Sequence, residues 1–114
     1  MEEKLVAERL LQGVVKINFT SYRELFTKTK PEQATDPYWK SALALFAGLN
    51  QSEKETFFSI LKQVAVDTVS NVAGAIDGSS DIGLKEDIRL IDRDGKPISG
   101  CLQDYFLEAV QHDS

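Results

Sequence analysis

The side chains best suited to nucleophilic chemistry are one cysteine and one histidine, and the chain of 114 residues holds a single copy of each. A thiol nucleophile needs a base that a third group orients. His112 lies within the last three residues, where chains usually fray, so it is a poor partner for Cys101. Cys101 opens a predicted helix, where the helix dipole could make a thiol more reactive, but we favour a small buried apolar residue there. The sequence therefore predicts no catalytic residue and no enzyme.

Metal and cofactor sites are not predicted either. One cysteine and one histidine cannot supply the soft ligands of a zinc site. A calcium loop needs carboxylates at positions 1, 3 and 5, glycine at 6 and glutamate at 12. Aligning Asp92 and Asp94 with positions 3 and 5 puts Leu90 at 1 and Cys101 at 12, and the run from Asp77 fails at position 12 as well. No glycine-rich phosphate-binding motif occurs.

A stripe of small or polar residues interrupts an otherwise apolar predicted helix. Its members lie three and four positions apart and therefore share one helix face: Asp67, Ser70, Asn71 and Gly74. We favour a buried polar cluster whose members bond to one another and to a neighbouring element that Gly74 allows to come close. The alternative is a small enzyme or ligand-binding domain that uses Asp67 and Asn71 together with Asp77.

The charge is unevenly distributed along the chain. Its net charge is −5; residues 1–63 carry +1 and residues 64–114 carry −6. Nucleic acids and anionic membranes are polyanions and would be repelled, so a basic protein is the partner that the charge favours. The carboxylates expected to meet it lie in two predicted turns that project into solvent: Asp77, Asp81, Glu86, Asp87, Asp92 and Asp94.

Helical periodicity governs the N-terminal half. It predicts an amphipathic helix over 3–17 and a short second helix over 22–26 capped by Thr20 or Ser21. A polar loop over 27–35 follows. Asp36 and Pro37 are typical of a helix start, and Gly48 suits a left-handed residue at the end of that helix.

The longest element is a central helix over about 53–76. Ser52 and Glu55 form its predicted capping box, and Asp77 with Gly78 ends it. Its apolar arc is broad, which predicts neighbours on more than one side and a large cost for truncating Leu61 or Val64. The arc comprises Phe57, Phe58, Ile60, Leu61, Val64, Ala65, Val69, Val72 and Ile76.

The C-terminal part is predicted to hold one small β-hairpin at most and a last helix. The hairpin would span 88–98, with Asp94 and Gly95 at its turn and Pro97 limiting its second arm to an edge. Ser99 or Gly100 would cap the last helix. One face of that helix is apolar and carries Leu102, Tyr105, Phe106, Ala109 and Val110.

These elements predict a mainly α single domain over 1–114, with about five helices around the central one. Apolar residues make up 42% and charged residues 27%, as in globular proteins. No apolar run approaches the ~20 residues of a membrane span, and the acidic start is unlike a secretory signal. We therefore expect a cytoplasmic protein. The sequence allows a homo-oligomer but does not predict one.

The C-terminal half resembles a group of short bacterial proteins for which no function is established. The shared pattern is S-N-V-x-G-x-[IL]-D-G followed by L-Q-D-x-F-L-E, which here begins at Ser70 and ends at Glu108. The resemblance implies that residues 71–78 belong to the signature of the fold. Size, acidity and helix content are also similar to those of toxin-immunity proteins. A non-enzymatic interaction protein, in its narrower form an immunity-type inhibitor of a basic toxin, is thus the predicted function.

Overall fold

A computed structural model describes residues 1–113, which form four helices. Helix α1 joins three consecutive stretches, Glu3–Leu10, a π-helical Leu11–Val15 and Lys16–Lys28. A 3-10 turn at Pro31–Gln33 leads to α2 (Pro37–Ala47), which is followed by α3 (Gln51–Asp77) and α4 (Leu102–His112). The mainly α prediction is confirmed, with four helices in place of about five.

Helix α1 is continuous where the sequence predicts two helices, so the predicted cap at Thr20 or Ser21 is wrong. The π-helical turn contains Gly13 and accommodates one extra residue. It keeps Ala7, Leu11 and Val15 buried on one line and lets Phe19 follow them into the interior. Because the apolar register is preserved across this turn, α1 continues through it as one helix.

Helix α2 begins as predicted, with the Asp36 carboxylate accepting a bond of 2.8 Å from the Tyr38 backbone N–H. Its end differs. Gly48 has φ −80° and stays right-handed, because its N–H still bonds to the carbonyls of the last turn.

Helix α3 begins two residues earlier than predicted, at a capping box formed by Asn50 and Glu53 instead of Ser52 and Glu55. The Asn50 side chain accepts from the Glu53 N–H and the Glu53 carboxylate accepts from the Asn50 N–H, both at 2.8 Å. The helix ends as predicted at Gly78, whose φ of +84° reverses the chain.

Two apolar clusters lie along α3, one near each end of a molecule measuring 50 × 32 × 24 Å. The first, where α1 and α4 pack on the C-terminal part of α3, buries Ala7, Leu11, Val15, Val66, Ala73, Leu102 and Phe106. The second, between α1, α2 and the start of α3, is aromatic and buries Phe26, Leu43, Phe46 and Phe58. The predicted inner face of α4 is confirmed, with Phe106 fully buried at its centre.

The predicted inner face of α3 is only partly correct. Ile60, Val64 and Val72 are 57%, 58% and 56% exposed, so Val64 is not a core residue. The buried residues of α3 are Phe58, which the prediction included, and Val66, Ser70, Ala73 and Gly74, which it did not place on the apolar arc. Both sides of this helix are apolar, and α1 and α4 cover one of them.

The segment 78–101, which joins α3 to α4, contains no strand among its residues. Ile91 and Pro97 form an isolated antiparallel bridge where the sequence allowed a hairpin. Two backbone bonds flank it, from Asp92 N to Lys96 O and from Ile98 N to Leu90 O, both 2.9 Å. The backbone pairing does not extend into two strands, because Pro97 has no N–H and the Leu90 N–H bonds to the Ser99 hydroxyl instead.

Each helix of residues 1–113 is too short or too polar to span a lipid bilayer.

Candidate functional site

Asp77, the last residue of α3, serves as the N-terminal cap of α4. Its carboxylate accepts backbone N–H bonds from Gly100 at 2.7 Å, Leu102 at 3.1 Å and Gln103 at 2.7 Å. Cys101, the residue before α4, makes no side-chain cap. The carboxylate of Asp77 on α3 therefore provides the N-terminal cap that was predicted at Ser99 or Gly100. Asp77 is therefore occupied within the fold and is removed from the predicted partner surface.

The polar stripe on α3 is structural at two of its four positions. The Gln103 side-chain amide donates to the Ser70 carbonyl at 3.0 Å and to its hydroxyl at 3.2 Å. The Ser79 hydroxyl donates to the Gln103 side-chain oxygen at 3.1 Å, which closes the network. Ser70 is 6% exposed, and its partner Gln103 lies 33 residues away, so this contact has no local signal in the sequence.

Gly74 allows this network to form. A Cβ at that position would lie 2.5 Å from the Ser80 hydroxyl and 2.9 Å from both polar atoms of the Gln103 amide. The Gly74 carbonyl also accepts bonds from the N–H groups of Ser79 and Ser80, at 2.9 and 3.1 Å. The close approach expected for Gly74 is therefore present.

The other two members of the stripe lie outside the cluster, which corrects the prediction of four buried residues. Asp67 and Asn71 are exposed, and Asp67 accepts a bond of 2.9 Å from the Gln63 amide on its own helix. Asp67 and Asp77 are ten residues apart on α3, about 15 Å along the helix axis. The residues named for an enzyme or ligand site therefore do not converge.

Asp92 organises the turn at 92–96 and does not project freely into solvent. Its Oδ1 accepts from the N–H groups of Asp94 and Lys96, both at 2.9 Å, and the Met1 amino group lies 3.4 Å from Oδ2. The side chain is only 6% exposed. The hydrogen bond from the Lys96 N–H, helped by the one from Asp94, lowers the pKa of the Asp92 carboxyl below its ordinary 3.8.

This lowered pKa predicts a pH dependence of folding. The Asp92 carboxylate stabilises the folded state above its unfolded pKa, and that contribution is lost as the pH falls through the folded pKa. We expect Asp92→Asn to be less stable than the native chain at about pH 6, with the difference shrinking towards about pH 2.5. Urea midpoints measured for both proteins across this range test it.

Two comparisons show whether the pH dependence of the stability difference comes from Asp92 itself. Asp113, whose pKa is lowered by its bond of 2.7 Å from Lys16, is present in both proteins and cancels in the difference. The exposed neighbour Asp94 provides the control for a general effect of charge, since Asp94→Asn removes the same charge but leaves the hydrogen bonds of Asp92 in place. A constant difference for Asp92→Asn would contradict the role of its carboxylate.

The remaining four predicted interface carboxylates are exposed: Asp81, Glu86, Asp87 and Asp94. Asp81 accepts a bond of 2.8 Å from the Gly83 N–H, which shapes the loop and leaves its second oxygen to solvent. Of the six predicted residues, four are therefore exposed and two are used inside the fold.

Cys101 is exposed, so the favoured interpretation of a buried apolar residue is wrong. It occupies the N-cap position of α4 at the surface, and its N–H donates to the Glu3 carboxylate at 2.8 Å. In residues 1–113 no three His, Cys, Asp or Glu side chains are grouped as metal ligands.

Two apolar grooves, which sequence reasoning missed, lie on the outer face of α3. One runs between α1, α2 and the start of α3, where Tyr22, Tyr38, Trp39, Phe57 and Leu61 line it. The other lies between the end of α3 and the following loop, and its lining includes Thr68, Val72, Ala75, Ile82 and Ile88. The sequence signal for these grooves was the breadth of the apolar arc on α3, because the other helices cover only part of that arc.

We compared the chain with protein-family models, curated proteins and solved structures, and none of these comparisons gave a significant match.

Proposed function

We propose that the chain is a non-enzymatic protein–protein interaction module that binds a basic protein through the segment after α3. The observation that carries the proposal is the exposure of this segment: every residue over 81–89 is exposed. It carries Ile82, Leu84 and Ile88 at 61%, 54% and 47% exposure. Apolar side chains displayed beside carboxylates are typical of a surface that another protein covers.

Charge supports the choice of a basic partner. Residues 64–114 carry −6, and Asp81, Glu86 and Asp87 present part of that charge on the exposed segment. Lys85 and Arg89 are interleaved with them, so the partner must match a pattern of both signs and not a uniform acidic patch. A toxin that attacks nucleic acid is one basic protein of this kind, and an immunity-type inhibitor is the narrower form of the proposal.

Association kinetics test the proposal. A protein captured from the native host by the full chain should be basic, and its association rate should fall as salt rises because exposed charges are screened over ~8–10 Å. The double variant Glu86→Gln/Asp87→Asn should slow association by about two- to tenfold, with a small effect on dissociation.

The matched control removes two exposed carboxylates elsewhere. Glu8→Gln/Glu32→Gln changes the net charge equally but leaves the segment intact, so it should associate at nearly the native rate. An acidic or neutral partner, or equal rates for the two double variants, would contradict the proposal.

A further inference from the structure

The outer face of α3 is a continuous uncharged stripe that is exposed from Val64 to Val72, while Phe57 and Leu61 at its N-terminal end are half-buried beside α1 and α2. At 100° per residue, eight residues lie within about 60° of one line along the helix. They are Phe57, Ile60, Leu61, Val64, Thr68, Asn71, Val72 and Ala75. From Phe57 to Ala75 the stripe is about 27 Å long. It connects the two apolar grooves through Val64.

The accessible surface of the chain is large for its mass. It measures 8008 Å² for 12.7 kDa. A folded monomer of this mass is expected to expose about 6,200 Å², so the excess is about 1,800 Å². A standard interface takes about 800 Å² from each partner. The chain therefore exposes more surface than one such interface requires.

The stripe is complementary to a second copy of itself in the antiparallel direction. Its eight positions pair symmetrically about position 66, so that 57 faces 75, 60 faces 72, 61 faces 71 and 64 faces 68 of the other copy. Larger side chains then meet smaller ones, with Phe57 opposite Ala75, Leu61 opposite Asn71 and Ile60 opposite Val72. A twofold axis requires this kind of self-matching patch.

Charge favours the antiparallel direction over the parallel one. A parallel pair would place the two C-terminal halves, each carrying −6, side by side. An antiparallel pair places the half of one copy that carries −6 beside the half of the other copy that carries +1. Opposite charges at the rim then assist the apolar contact.

We propose that the outer face of α3 binds a second copy of this chain, forming an antiparallel twofold dimer in which Val64 of each copy packs against Thr68 of the other. The proposal goes beyond the binding of a basic protein and does not depend on it.

Sedimentation equilibrium of the full chain tests the dimer. The native chain should sediment at twice its monomer mass of 12.7 kDa. Val64→Glu or Thr68→Lys should each sediment as a monomer, because each places a charge in the apolar contact. Both positions are exposed in the single copy, so each variant should keep the native circular dichroism at 222 nm. Leu5→Glu, at a half-exposed position on α1, is the matched control and should remain a dimer.

Mixing the two variants tests the pairing itself. In an antiparallel pair the new carboxylate at position 64 of one copy faces the new ammonium group at position 68 of the other. An equimolar mixture of Val64→Glu and Thr68→Lys should therefore restore the dimer mass that neither variant shows alone. A monomeric native chain, a dimeric Val64→Glu variant or a mixture that stays monomeric would each overturn the proposal.

Discussion

Replacing Phe106 by alanine should lower the free energy of unfolding by about 3–5 kcal/mol. Phe106 is fully buried on α4, in the cluster that joins α4 to α1 and to the C-terminal part of α3. Its removal takes away apolar contact and leaves a cavity that the neighbouring helices α1 and α3 cannot easily fill. Urea unfolding followed by circular dichroism measures the loss.

Val64→Ala is the informative comparison for that experiment. The breadth of the arc on α3 predicts a large cost at Val64, but the side chain is 58% exposed in the folded chain. At a concentration where the chain is monomeric, we expect a change below about 0.5 kcal/mol. Equal losses for Phe106→Ala and Val64→Ala would mean that α3 presents its other face to the core.

The second large effect is expected at Asp77. Asp77→Ala should lower the free energy of unfolding by about 2–3 kcal/mol, because three backbone N–H groups at the start of α4 lose their acceptor. The loss should detach α4 first, since the N-cap residue Cys101 provides no side-chain cap of its own. Hydrogen exchange should therefore speed up in residues 102–106 more than in α2, and urea unfolding gives the total.

Asp81→Ala separates this capping role from a general effect of charge. Asp81 is exposed and its carboxylate accepts one local bond, so the same substitution should cost less than about 1 kcal/mol. If both aspartates gave equal losses, Asp77 would contribute only to the net charge and not to the attachment of α4.

Local signals in the sequence were sufficient where the structure depends on nearby residues. Asp36 caps α2 through a backbone group two residues away, and Gly78 ends α3 because its own backbone reaches a positive φ. The apolar face of α4 is equally readable, since Leu102 and Phe106 repeat at helical spacing. The free energy of each of these features depends on residues that lie within about one helical turn of one another.

Two assignments required the tertiary structure because their partners are distant in the chain. Asp77 and Asp81 are the same residue type in the same predicted turn, yet the acceptor role of Asp77 depends on N–H groups 23 to 26 residues later. Likewise, Ser70 is buried because Gln103 reaches it, while Asp67 on the same stripe stays exposed.

The sequence by itself determined that the chain is mainly helical, where three of its helices start or stop, and that α3 is apolar over a wide arc. Only the tertiary structure decided which side of that arc is covered. Periodicity measures how apolar each side of a helix is, but the covered side is chosen by where α1 and α4 pack. Val66 and Ala73 are therefore buried, while Val64 and Val72, on an equally apolar side, remain at the surface.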